Sequence, residues 1–293
     1  MSAPSPVLSP GIYTMAADLY HADPCPAPSL SSSGAWTLLR NSPRHALFDH
    51  PKLNAAYRRT EREEFDLGTA AHAYILEGDE SFTIIDAADF RTKAAQEARV
   101  IARQAGKTPL LAHRWADVQR MAVAVQHQLA AHEDVPIPLS AGQPEQTLIW
   151  QEGGIWCRAR VDWLHDDYRT IDDLKTTSAS ANPEVWGRRL WAAGHDLQAA
   201  FYRRGVQALF GIEARFRFVV IENTPPFALS VISLDPAAMA LADHKVLRAI
   251  TLWKWCLDND RWPGYPTRTC YAELPPWEEA QWLERELREE DIP

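Results

Sequence analysis

Cysteine is scarce in this chain: four in 293 residues, Cys25, Cys157, Cys256 and Cys270. None forms a C-x-x-C pair, so neither a disulfide framework nor a zinc knuckle is expected. An iron–sulfur cluster needs four converging thiolates, and Cys157, in a strand-like run beside arginines, reads as packing. Long apolar runs are missing too. Stretches such as residues 218–221 are only a few residues long, far short of the roughly 20 that cross a bilayer. Residues 1–10 carry no basic or apolar leader pattern, so no secretory signal and a cytoplasmic location are expected. No Gly-x-Ser-x-Gly occurs, which argues against an acyl hydrolase. Lysine is rare, six against 24 arginines.

What is present is ordinary globular material, 46% apolar and 24% charged, enough for a sizeable core. The net charge of −9 at first disfavours a nucleic-acid partner. Its distribution changes that reading. Residues 271–293 hold eight acids against Arg285 and Arg288, which leaves the rest of the chain close to neutral. Arginine pairs such as Arg58–Arg59, Arg188–Arg189 and Arg203–Arg204 fit a phosphate-binding surface or, equally, solvated helix faces. Twelve tryptophans invite base stacking, but the late group, Trp253, Trp255, Trp262, Trp277 and Trp282, fits packing better.

Residues 1–33 are rich in Pro and Ser and read as an extended arm ending in a helix-cap cluster, Ser31 to Ser33. Helices are expected over 36–47, 65–76, 92–104 and 114–132, from three- and four-residue apolar spacing and from stops at Gly78 and Gly106. Strands are expected over 146–151, 155–164 and 168–174, the first two joined at Gly153–Gly154. A long helix over 183–209 follows, then strands over 216–221 and 227–232 and helices over 236–257 and 277–290. The expected organisation is an arm (1–33), a single α/β domain (34–265) and an acidic tail (266–293), with helical elaboration at both ends.

The chemistry concentrates in Arg158-Ala159-Arg160-Val161-Asp162 and Ile171-Asp172-Asp173-Leu174-Lys175. Strand alternation puts Arg158, Arg160 and Asp162 on one side, and Asp173 and Lys175 on one side of the next strand. Adjacent strands then gather two carboxylates and an ammonium. Such carboxylates repel unless a cation neutralises them, which points to Mg²⁺ and to a metal-bound water attacking a phosphodiester. A surface salt bridge is the plain alternative for Asp173 and Lys175. The second Asp-x-Lys, Asp243-His244-Lys245, falls in a helical pattern where side chains two apart diverge. Gln198 and Tyr202 share a helix face, and His72 lies in a small-residue helix, Gly68-Thr69-Ala70-Ala71-His72.

That order of motifs resembles the PD-(D/E)XK nuclease superfamily, and within it the RecE-type phage and prophage exonucleases; it is more distantly similar to the RecB nuclease domain. Tyr20-His21-Ala22-Asp23, Leu30-Ser31-Ser32-Ser33 and Ser42-Pro43-Arg44-His45-Ala46 carry the resemblance towards the phage members. It implies a restriction-endonuclease-like core, a central mixed β-sheet flanked by helices. It also implies metal ligands His72, Asp162, Asp173 and the backbone carbonyl of Leu174, with Lys175 activating the attacking water. Gln198 and Tyr202 would contact the substrate strand. Arg160 is either a phosphate contact or the partner of a neighbouring carboxylate, and Asp172 faces away. The activity implied is Mg²⁺-dependent exonucleolysis of double-stranded DNA ends, 5′→3′, for phage-type recombination, with Mn²⁺ substituting and no iron–sulfur cluster. A ring-shaped homo-oligomer and a single-strand annealing partner belong to the same implication. A nuclease for single-stranded, flap or branched DNA, or a non-catalytic DNA-binding module, is the alternative.

Overall fold

The computed structural model describes residues 9–58, 67–78, 82–105 and 107–289, without the side chains of 67–69 and 289. The chain divides into two compact units, Met1–Trp262 and Pro263–Pro293. The second contains the exposed acidic helix α10 (Pro276–Glu289). Everything else below concerns the first.

Its frame is a mixed sheet. The strands are β1 (Gly11–Thr14), β4 (Gly142–Glu152), β5 (Ile155–His165), β6 (Thr170–Thr177), β7 (Arg215–Glu222) and β8 (Leu229–Ile232), in the order β1-β4-β5-β6-β7-β8. The β4–β5 hairpin turns at Gly153 and Gly154, both with positive φ, as a tight antiparallel turn requires. β6 and β7 are parallel, so the chain between them must cross over, and it does so through α7 (Pro183–Ala193) and α8 (His195–Phe210). Side chains of α8, α2 (Ser32–Arg40) and α9 (Pro236–Asn259) pack with the sheet around Trp150, Phe201, Phe218 and Trp253. Another buried cluster brings α4 (Leu67–Glu77) and α6 (Ala112–Ala130) against Leu174, Val219 and Ile221.

Three expectations need correction. The 183–209 helix is two helices, because Gly194 has φ 73 and a Cβ there would run into the Trp36 ring. Only glycine tolerates both demands, and the chain restarts as α8 at His195. Likewise 36–47 is α2 followed by α3 (Pro43–Phe48), with Pro43 at the start of the second helix, where its missing N–H costs nothing. The N-terminal segment is not extended throughout. It carries β1 and α1 (Ala17–His21), and Leu30 bridges in parallel to Cys157. Buried Asp23 accepts hydrogen bonds from Ser29 N–H (2.8 Å) and Oγ (2.7 Å). Ser31 caps α2 by accepting from Gly34 N–H at 3.1 Å.

A small parallel sheet, β2 (Phe82–Ile85) with β3 (Thr108–Leu111), joined through α5 (Lys93–Gln104), was not anticipated. Its strands are four residues each, too short to show a period. Gly106, Phe65 and Arg59 lie outside the described residues. Among the described residues, no helix is long and apolar enough to cross a membrane.

Candidate active site

The site grows from a fork in the sheet. β5 and β6 pair only at Leu164–Ile171 and Trp163–Asp172. The next rung would be Asp162 opposite Asp173, and there the ladder has opened. The Leu174 N–H, freed from β5's backbone, donates instead to the Asp162 carboxylate at 2.9 Å. On the other side of β5, Pro144 pairs Trp163 and Gln146 pairs Val161, which sets Glu145 opposite Asp162. Glu145, Asp162 and Asp173 thus form one cross-strand row of three carboxylates. Like charges so placed repel, and each has a cation or strong donor beside it.

For Asp162 the donors are Leu174 N–H and His72 Nε2, the latter 3.0 Å away on α4. Burial opposes its ionisation, yet His72, Lys175 and that N–H together hold Asp162 below the usual carboxylate range. Burial also works against charge on His72, but Asp162 outweighs it and lifts the imidazole pKa. Asp173, fully buried, forms an ion pair with Lys175 through Oδ2 and accepts from Gln198 Nε2 at 2.6 Å through Oδ1. Burial and then the charge of Asp162 overcome Lys175 and push Asp173 up to about 7. Lys175 is itself raised: burial disfavours the ammonium, but Asp173 and Asp162 retain it. Tyr202, one turn beyond Gln198, is buried, and burial drives its phenol well above 10. It stays neutral.

Arg160 takes the ion-pair alternative here. Its Nε meets Glu145, and its Nη1 donates to the Met15 carbonyl at 2.9 Å. Burial lifts the Glu145 pKa despite that partner. Asp172 does face away. It is fully buried and accepts from Arg217 Nε (2.6 Å) and Nη2 (2.8 Å), from Leu139 N–H (2.8 Å), and stands 2.7 Å from His165 Nε2. Cys157 is buried in the core. The second Asp-x-Lys is spent on packing: Lys245 pairs with buried Asp196 at 2.5 Å and Asp243 with Arg204 at 3.5 Å.

His72, Asp162, Asp173, Leu174, Lys175, Gln198 and Tyr202 are therefore brought to one place. Among the described residues, however, no three His, Cys, Asp or Glu side chains stand at the spacing of a metal cage; His72 closes on Asp162 and Lys175 on Asp173 instead. Two residues of the site were missed from sequence. Glu145 needed the β4–β5 register. His195 stacks on Trp186 (5.6 Å, 7°), and burial, then the Lys175 charge, depress it to about 4. Its signal was present, three residues before Gln198 on the same helix face.

The comparisons agree with this architecture. No curated protein matches the chain. A crystal structure of a "putative exonuclease" from Eubacterium rectale superposes with a TM-score of 0.58 at 12% identity, covering 90% of this chain and 97% of that one, a likeness of fold. SSO0001, at 16% identity and with 69% of this chain and 96% of that one covered, reaches a TM-score of only 0.25 and carries no argument. The family described as "PDDEXK-like domain of unknown function (DUF3799)" matches residues 31–274. That match spans well over half of the chain, and the chain belongs to this PDDEXK-like family.

Proposed function

We propose that the chain is a metal-dependent deoxyribonuclease of RecE type that hydrolyses phosphodiester bonds from double-stranded DNA ends, in the 5′→3′ direction. The observation that carries the reading is the open fork, where Asp162 and Asp173 converge with Lys175 and His72 at the end of their shared ladder. A surface salt bridge would not bury Asp173 completely.

The donors suit Mg²⁺ or Mn²⁺. Two carboxylates and an imidazole supply hard oxygen and nitrogen ligands. Asp173 Oδ2, although buried, meets only the Lys175 ammonium among the described residues. His72, Asp162, Asp173 and the Leu174 carbonyl would hold the ion, which when bound polarises the scissile phosphate and acidifies an attacking water. The remaining work falls to this chain's own side chains. Lys175 places its ammonium beside the attacked phosphate, orienting the water and countering charge that develops there. Gln198 holds Asp173 in place through Oδ1 and presents the rest of its amide to the substrate strand. Neutral Tyr202 donates without adding charge.

The test is release of nucleotides from linear duplex DNA with Mg²⁺, against closed-circular, flap and single-stranded controls. The reading expects release from linear duplex only, abolished by EDTA. Lys175→Ala should lower the rate by about 10²–10⁴-fold and leave DNA binding largely intact. Cutting of circles would move the activity to an endonuclease; binding without release would leave a DNA-binding module. Full activity in Lys175→Ala would refute its role.

A further inference from the structure

The ion pair between Glu145 and Arg160 lies at the edge of the carboxylate row, and the catalytic roles above make no use of it. It is built at some cost. Glu145 has φ 53, a left-handed backbone that glycine or asparagine enters readily and glutamate does not. It also sits across from Asp162, the one cross-strand position where another carboxylate is least welcome. Strain of this kind persists where a side chain must be aimed at a particular target, and here the target is Arg160.

Arg160 is tethered independently of Glu145, through Nη1 to the Met15 carbonyl. It stands two residues before Asp162 on β5 and shares its side of the strand, beside the place where the scissile phosphate would lie. A guanidinium fork fits a carboxylate and a phosphate by the same geometry. Both side chains are mostly but not wholly covered, at 16% and 18% exposure, so Glu145 can swing out without crossing the core.

We propose that Glu145 stands in for a backbone phosphate of the nucleic-acid substrate: it occupies the Arg160 fork in the free protein and gives it up when DNA docks. Arg160 is then a phosphate contact, and Glu145 sets the threshold for binding. This rests on the nuclease reading, so the experiment separates the two failures. Binding of a fluorescent linear duplex to the full chain is measured in EDTA, where no cleavage occurs, across a salt series. Glu145→Gln should tighten binding by about tenfold and steepen the salt slope by about one. Glu145→Gly, which relieves the left-handed strain while removing the carboxylate, should show the same gain. In an Arg160→Ala background both gains should vanish.

Equal or weaker binding by both Glu145 variants, with the wild type binding normally, overturns the proposal alone and makes Glu145 a positioning residue for Arg160. A gain that survives Arg160→Ala overturns it as well, as mere relief of negative charge. Failure of every protein, wild type included, to bind DNA overturns the proposal, while nucleotide release from linear duplex with Mg²⁺ decides the nuclease reading separately.

Discussion

Adjacent residues Asp172 and Asp173 are both fully buried, yet the structure requires opposite consequences of removing their charges. Asp172 neutralises Arg217, which is itself fully buried and paired with it across the parallel β6–β7 register. Asp172→Ala strands that guanidinium and leaves Leu139 N–H without its acceptor. Breaking one partner of a buried pair costs about 3–5 kcal/mol. Asp134 remains 3.2 Å from Arg217 Nη1 and the Pro136 carbonyl 2.8 Å away, so the lower end, about 3 kcal/mol, is expected. For a chain of this size each kcal/mol moves Tm by about 2–4 °C, giving a fall of roughly 6–12 °C.

Asp173→Asn should leave Tm unchanged or raised, because burial and Asp162 already penalise the Asp173 charge and catalytic groups often sit at a cost in stability. Nuclease activity should show the reverse order: lost in Asp173→Asn, and retained by Asp172→Ala below its own melting temperature. Adding Arg217→Met to Asp172→Ala removes the stranded charge and should recover part of the stability. Differential scanning calorimetry with a cleavage assay on the same preparations reads both. A Tm loss below about 2 °C for Asp172→Ala, or a larger loss for Asp173→Asn than for Asp172→Ala, would refute the assignment of faces.

Two further outcomes follow from α8 and its entry. His195 is depressed to about 4 from an ordinary 6.5, so between those values the unfolded chain binds more protons than the folded one. Stability should therefore fall as pH drops from about 6.5 towards 4, and His195→Gln should flatten that part of the Tm profile; an identical profile would show that His195 does not titrate with folding. Gly194→Ala meets both a left-handed φ and the Trp36 ring, and should cost at least about 1–2 kcal/mol. It should also lower activity through displacement of Gln198, and a neutral Tm would show that the break between α7 and α8 is not glycine-dependent.

Much of this was legible along the chain because it is local. Apolar spacing and caps marked most helices, alternation marked β5 and β6, and the Asp173-Leu174-Lys175 triplet was separable from Asp243-His244-Lys245 because a strand presents i and i+2 together and a helix does not. Alternation alone also turned Asp172 away from Asp173. What had to wait for tertiary structure was every relation between strands. The opening of the β5–β6 ladder, which lets Leu174 N–H reach Asp162, depends on where pairing stops. Glu145 reaches the row only through register with β5 and a left-handed backbone that no local preference of glutamate announces. The helix break at Gly194 is set by Trp36, about 160 residues earlier in the chain. Local chemistry named the acids, the lysine and their faces; which charges meet, and at what energy, was decided by contacts far apart in sequence, whose strength depends on burial.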